Sequence, residues 1–205
     1  MLKVCRPAWA LSAFEPYISR ETMYVHVDQL HKGYVDKLNA NMDRSILTQD
    51  PSQVLSNLNS YLPWDKQQFY RNMMGGNVAH TLFWKSISPN ADTSDFNVNF
   101  TDMSTNQIRH AVVIAGVERF GSGWVWGVIT QEGVFRIYST RDHDTPYMRG
   151  HLPIFCVDVW EHAYFLDQHG HRKAWLENAC AFIDFKAIEH YARTPRILDS
   201  WVLGR

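Results

Sequence analysis

The stretch Val157-Asp158-Val159-Trp160-Glu161-His162-Ala163-Tyr164 decides how the rest of this chain is read. A strand-like apolar run, Leu152 to Val157, leads into it, and a carboxylate and an imidazole then stand four residues apart. On a helical turn Asp158 and His162 share a face and reach one metal ion. The spacing alone is weak evidence, since a surface ion pair or a satisfied core histidine is a commoner cause of it. Trp160 between the two and Glu161 beside the histidine add weight.

Two more imidazoles sit on helical patterns upstream. Ser19-Arg20-Glu21-Thr22 reads as a helix start, with a capping serine and an acid in the first turn. Periodicity continues to about Met42 and sets His26, Leu30, Tyr34 and Leu38 on one stripe. Core packing explains the two leucines. It explains His26 and Tyr34 less well, because each buried ring needs a hydrogen-bond partner or a metal. A second helix is predicted from about Asp65 to Ser88 and contains Gly75-Gly76, at a cost of about 1 kcal/mol per glycine relative to alanine. Gly76 stands one turn before His80 and leaves room there for a side chain from elsewhere. His26, His80, Asp158 and His162 form a set of three imidazoles and one carboxylate, which suits Fe, Mn, Zn or Co better than Mg or Ca.

The whole chain sets the limits. Its 205 residues suffice for a proper core, and a net charge of -1 with interspersed acids and bases suggests neither a nucleic-acid partner nor an anionic membrane surface. An anionic substrate would need a local funnel. Cys5, Cys156 and Cys180 are scattered, which fits a reducing compartment and neither a disulfide framework nor a thiolate zinc site. No apolar run approaches membrane-spanning length. Residues Met1 to Phe14 read poorly as a signal peptide, with Pro7 breaking the apolar patch. The expected location is cytoplasmic; a mitochondrial one would require an import segment ahead of this sequence.

The remaining segments complete an α+β plan. Residues 43–64 carry loop signals and a short helical patch, and Ser88 to Met103 reads as a linker. A helix over about Thr105 to Phe120 ends at Gly121-Ser122-Gly123. Strands are predicted at Trp124 to Thr130, Val134 to Thr140 and Leu152 to Val157, the first two joined by a tight Gln131-Glu132-Gly133 turn. Helices with a break near Gly170 run on to about Arg193. The expected architecture is an N-terminal antiparallel helical hairpin (1–89), then a C-terminal domain (90–205) whose three-stranded antiparallel sheet, laid out as a meander, is flanked by helices.

With these motifs assembled, the chain resembles the iron/manganese superoxide dismutases, collinearly from about Phe14 to Tyr191. The resemblance rests on Ser19-Arg20-Glu21-Thr22-Met23 with His26 and Tyr34, on Arg71-Asn72-Met73-Met74-Gly75-Gly76 with His80-Thr81-Leu82-Phe83-Trp84, on Phe120-Gly121-Ser122-Gly123-Trp124-Val125-Trp126, and above all on Asp158-Val159-Trp160-Glu161-His162-Ala163-Tyr164. It implies that His26, His80, Asp158 and His162 ligate one Fe or Mn ion per chain, with a water or hydroxide as the fifth ligand. The implied reaction converts superoxide anion to dioxygen and hydrogen peroxide as the metal alternates between 3+ and 2+. Tyr34 would gate substrate and enter the hydrogen-bond chain. Glu161 and His31 would belong to the surrounding shell and the interface of a homodimer, or a tetramer. Phe83, Trp84, Trp124, Trp126 and Trp160 would form a dry aromatic wall.

The departures carry information too. Gly76 stands where iron-type members supply a glutamine, and His143 aligns with the glutamine of manganese-type members, which tilts the metal toward iron. Leu30 and Phe165 replace a histidine and a tyrosine that pair across the family's dimer interface and pass protons toward the gateway tyrosine; slower proton delivery is the expectation. Ala79, Cys180 and Phe185 replace larger or polar residues and imply repacking. A structural subunit of a larger assembly, such as a mitochondrial ribosome, built on the same fold, and a three-His-one-Asp zinc hydrolase stand as alternative functions.

Overall fold

The computed structural model describes residues 1–193. Ser19 caps the first helix as expected, its hydroxyl accepting from the Thr22 N–H. That helix has three parts: α1 (Arg20–Tyr24), a π-helical turn (Val25–His31) and α2 (Lys32–Asn41). The Lys32 N–H reaches back five residues to the Val27 carbonyl, so the middle segment winds more widely than an α-helix. This corrects the predicted stripe. The wide turn moves the inward position along by one residue, and His26, His31, Val35 and Leu38 are buried while Leu30 and Tyr34 are only half-buried.

Residues 43–64 form three short helices: α3 (Arg44–Leu47), α4 (Pro51–Ser56) and α5 (Leu58–Tyr61). They lead into α6 (Trp64–Ser86), which is buried without interruption from Met74 to Trp84 and packs against α2 as the hairpin partner. An unbroken buried run is what a helix passing between two halves of a core requires. Helix α7 (Thr105–Glu118) starts at a reciprocal capping box between Ser104 and Gln107.

The sheet comprises β1 (Gly123–Ile129), β2 (Phe135–Arg141) and β3 (Leu152–Asp158), all antiparallel, in the order β2-β1-β3. A meander would place β2 in the middle, so the expected layout is corrected. Burial follows the layout: β1 and β3 are buried along nearly their whole length, whereas β2 buries only Phe135 and Thr140 and lies at the more exposed edge. The tight turn after β1 is present, with Gly133 at φ 76°. The segment from Asp142 to His151 must then cross from the β2 edge to the far side of β1, and it carries His143. In register, Trp124 lies between Thr140 and Asp158.

After the sheet come α8 (Phe165–Gln168), α9 (Arg172–Ala181) and α10 (Phe185–Arg193). The break near Gly170 is present at φ 84°. A second, unexpected break falls at Ile183, which bridges Ile87 at the end of α6. Ala79, Cys180 and Phe185 are all buried, and the Arg109 guanidinium covers the Phe185 ring 5.1 Å from its centroid. No described helix is long and apolar enough to cross a membrane.

Candidate metal centre

Asp158 and His162 do not share a helical turn, contrary to the initial reading. Asp158 is the last residue of β3, and His162 lies in a one-turn 3-10 helix, Glu161–Ala163. The carboxylate itself makes the turn: Asp158 Oδ1 accepts the Trp160 N–H at 2.7 Å, folding the chain back so that His162 faces Oδ2. The other two imidazoles arrive from the hairpin, His26 from the π-helical turn and His80 from the buried middle of α6. A π-turn is a familiar way to aim a functional side chain out of register with its helix.

One donor atom from each of His26, His80, Asp158 and His162 lies within 4.8 Å of the others, an arrangement able to hold a metal ion. Asp158 Oδ2 is the hub, 3.0 Å from His26 Nε2, 3.2 Å from His162 Nε2 and 4.0 Å from His80 Nε2. The buried nitrogens test the fit of a metal. His26 Nε2 and His80 Nε2 find no aligned hydrogen-bond partner among the described residues, although the first is close to Asp158. Such orphans cost about 1–3 kcal/mol each unless something electrophilic meets them. In His80 the tautomer is fixed, because Nδ1 lies 2.7 Å from the Gly76 carbonyl and must donate to it, leaving the Nε2 lone pair toward the cluster.

Electrostatics favours the same state. Burial pushes His26 and His80 toward the neutral imidazole. Burial alone would raise Asp158, but the neighbouring His162 and the His26 contact outweigh it and hold the group well below the usual carboxylate range. A neutral His80 whose lone pair faces the cluster, beside an ionised carboxylate, suits a cation. The backbone carbonyl of Asp158 accepts the Trp175 indole N–H at 2.7 Å. Trp175 is absent from the sequence-based site; a buried indole's need for an acceptor is the only signal that could have found it.

A second layer fixes the first. His31 Nδ1 accepts from Trp84 Nε1 at 3.0 Å, so Nε2 carries the proton and donates to Asn77 Oδ1 at 2.9 Å. The ring stacks on His80, centroids 5.2 Å apart, and burial pushes its pKa down to about 4. Trp124 meets His80 edge-on at 4.9 Å, and Phe83 and Trp84 flank His26 at 5.8 and 4.8 Å. Trp160 stacks on His143 and His162. Trp126 stands further back, spending its indole N–H on Thr140 at 2.7 Å.

His143 is buried rather than turned to water. Its Nδ1 accepts from Trp124 Nε1 at 3.3 Å, which leaves the proton on Nε2 to be donated to the Tyr34 hydroxyl at 2.7 Å. A carboxamide between the same two partners would accept and donate in the same sense. Burial lowers His143 to about 4 and, with the Asp158 charge, raises Tyr34 to about 12. The room left by the two glycines is used in two ways. A Cβ on Gly76 would stand 3.1 Å from the Tyr34 ring, and one on Gly75 only 2.1 Å from the His143 carbonyl oxygen. Glu161 points outward, accepting from Ser122 at 2.7 Å and pairing with Arg172 at 3.2 Å.

Two family models match this chain. Residues 5–88 match the alpha-hairpin domain of iron/manganese superoxide dismutases, and residues 93–191 match their C-terminal domain.

Proposed function

Since the chain belongs to the iron/manganese superoxide dismutase family, we propose that it removes superoxide, with His26, His80, Asp158 and His162 holding one Fe or Mn ion, iron being favoured. The observation that carries this reading is the pair of orphaned, buried imidazole nitrogens beside an ionised carboxylate. A metal held by these four residues would supply one-electron chemistry in both directions, which the conversion of two superoxide anions and two protons to dioxygen and hydrogen peroxide requires.

The chain's own residues do the rest. Asp158 offsets part of the cation's charge, and its Oδ1 and carbonyl are held by Trp160 and Trp175. Tyr34 stays a phenol at neutral pH and accepts from His143, so its own O–H is free to donate toward the cluster. Trp124, Trp160, Phe83 and Trp84 exclude bulk water, which strengthens every charge interaction inside.

The same reading divides the chain at 89/90, a division supported by the gap between the two matched segments; its C-terminal domain extends past the described residues. It also takes the protein to act as a homodimer, with Glu161 and the exposed apolar side chains Phe120 (93% exposed), Phe165 and Leu166 at the joint. There Leu30 and Phe165 provide no proton relay, so proton delivery through Tyr34 is slowed.

Elemental analysis together with a superoxide-removal assay tests the proposal. Bound Fe or Mn, with activity lost in His80→Ala, is the expected result. Metal-free, inactive protein would overturn it in favour of a structural subunit, and zinc without dismutation would point to a hydrolase.

A further inference from the structure

His143 sits on the crossing segment after β2, outside any helix or strand, yet its ring makes two directed hydrogen bonds. Something must fix its backbone. On one side the Asp142 N–H donates to the Ser122 carbonyl at 3.1 Å, and Trp160 Nε1 donates to the Asp142 carbonyl at 3.2 Å. On the other side the next residue, Asp144, takes a two-pronged contact from Arg71, with Nε at 2.5 Å and Nη2 at 2.7 Å. The Asp144 carbonyl accepts from Thr140 Oγ1 at 2.6 Å, whose oxygen in turn accepts from Trp126.

Arg71 and Gly75 are four residues apart on α6 and so share a face. Gly75 lets the His143 carbonyl lie where a Cβ would otherwise stand, at 2.1 Å. One turn away, Arg71 holds the neighbouring carboxylate in a planar fork, a geometry that fixes direction as well as distance. Arg141 also stands near Asp144, at 3.6 Å, but its side chain is 69% exposed and it ends β2, directly before the loop. It cannot tie the loop to α6.

We propose that Arg71 and Asp144 are positioning residues for His143: their fork, with the Gly75 slot, sets the height of the loop on α6 and so brings the His143 ring N–H onto the Tyr34 hydroxyl. This deepens, and for its kinetic part rests on, the dismutase reading above. Among the described residues Arg71 and Asp144 form no hydrogen bond or ion pair with the proposed ligands or Tyr34, so the fork acts through the loop. Without it, His143 keeps its Trp160 stack but loses the pin that sets its reach.

The test compares crystal structures, metal content and superoxide removal for R71M, R71K, D144N and the double variant R71M/D144N. In R71M the contact between His143 and Tyr34 lengthens beyond hydrogen-bond range while metal per chain is unchanged. Superoxide removal falls by about tenfold to a hundredfold, the scale expected when a polar group is displaced by roughly 1 Å. R71K keeps the charge without the fork and recovers part of the loss. The double variant is no worse than either single one, because all three remove the same pin. An R71M structure that retains the 2.7 Å contact overturns the proposal, and so do losses that simply add in the double variant. Should R71M not fold, R71K and D144N carry the same comparison. Should the parent protein show no dismutation, the functional reading fails, while the His143–Tyr34 distance still decides the role of the clamp.

Discussion

Around Asp158 the polar groups are aimed: Oδ1 takes the Trp160 N–H, the carbonyl takes the Trp175 indole, and Oδ2 faces three imidazoles. Four residues beyond His162 the picture reverses. Leu166 is half exposed, Phe165 beside it is 58% exposed, and Leu30 sits half-buried on the first helix with no polar atom to offer. The donor cluster is completed by one chain, whereas the rim leaves apolar side chains exposed. A site for an ion needs fixed donor positions and tolerates little substitution. On the proposed reading, a rim that would deliver protons can lack a polar pair without disturbing those positions.

Breaking the cluster has the largest expected effect. Asp158→Ala removes the hub and the turn that places His162, so bound metal and superoxide removal both fall by more than about a hundredfold, since even outer partners of a metal ligand are worth about 10–100-fold. Metal analysis of the purified variant checks this. A variant that keeps its metal would mean that the rings alone form the site.

Acid comes next. His31 and His143 both sit at about 4 when folded, through burial, against about 6.5 in an unfolded chain. Between these values the unfolded state binds more protons, so stability is fully present above about pH 6.5 and declines as pH falls toward 4, by up to about 3 kcal/mol for each histidine. Thermal melts across that window should show the decline, with a shallower slope in His31→Gln.

The two glycines sharpen the comparison within the cluster's own wall. Gly75→Ala meets backbone at 2.1 Å and has nowhere to go, whereas Gly76→Ala meets the Tyr34 ring at 3.1 Å, which can shift slightly. The first should cost about 1–3 kcal/mol, the usual range for overpacking, and the second less. Melting temperatures in that order support the close approach of the His143 loop to α6; equal values would count against it.

The rim variants should move least. Leu30→His with Phe165→Tyr restores a polar pair and should raise turnover by less than about tenfold, below the usual worth of a fully aligned acid–base group. The change should appear in the pH–rate profile, with metal content unaltered. Unchanged turnover and pH profile would remove the idea that this rim limits proton supply.

Much of the fold was readable from local chemistry. Ser19 and Gly133 mark element ends that the structure reproduces, because caps and turns depend on neighbours in sequence. The order of the strands was not readable. It depends on which strand is buried on both faces, and that is settled by packing across the chain. The four donors could be picked out by type and spacing, but the means of bringing them together could not. The π-helical turn puts His31 where a regular helix would put Leu30, and an Asx-type turn replaces the helical turn imagined between Asp158 and His162. Trp175 and the Arg71–Asp144 fork were silent in sequence because each acts through a contact made far along the chain.

The central claim is that the four donors hold one redox metal, and anomalous diffraction recorded at the iron and manganese edges tests it most directly. A single peak per chain, enclosed by His26 Nε2, His80 Nε2, His162 Nε2 and Asp158 Oδ2 and rising at one of those two edges, is the predicted result. A peak at neither edge in protein purified without chelators, or one placed away from these atoms, would contradict it.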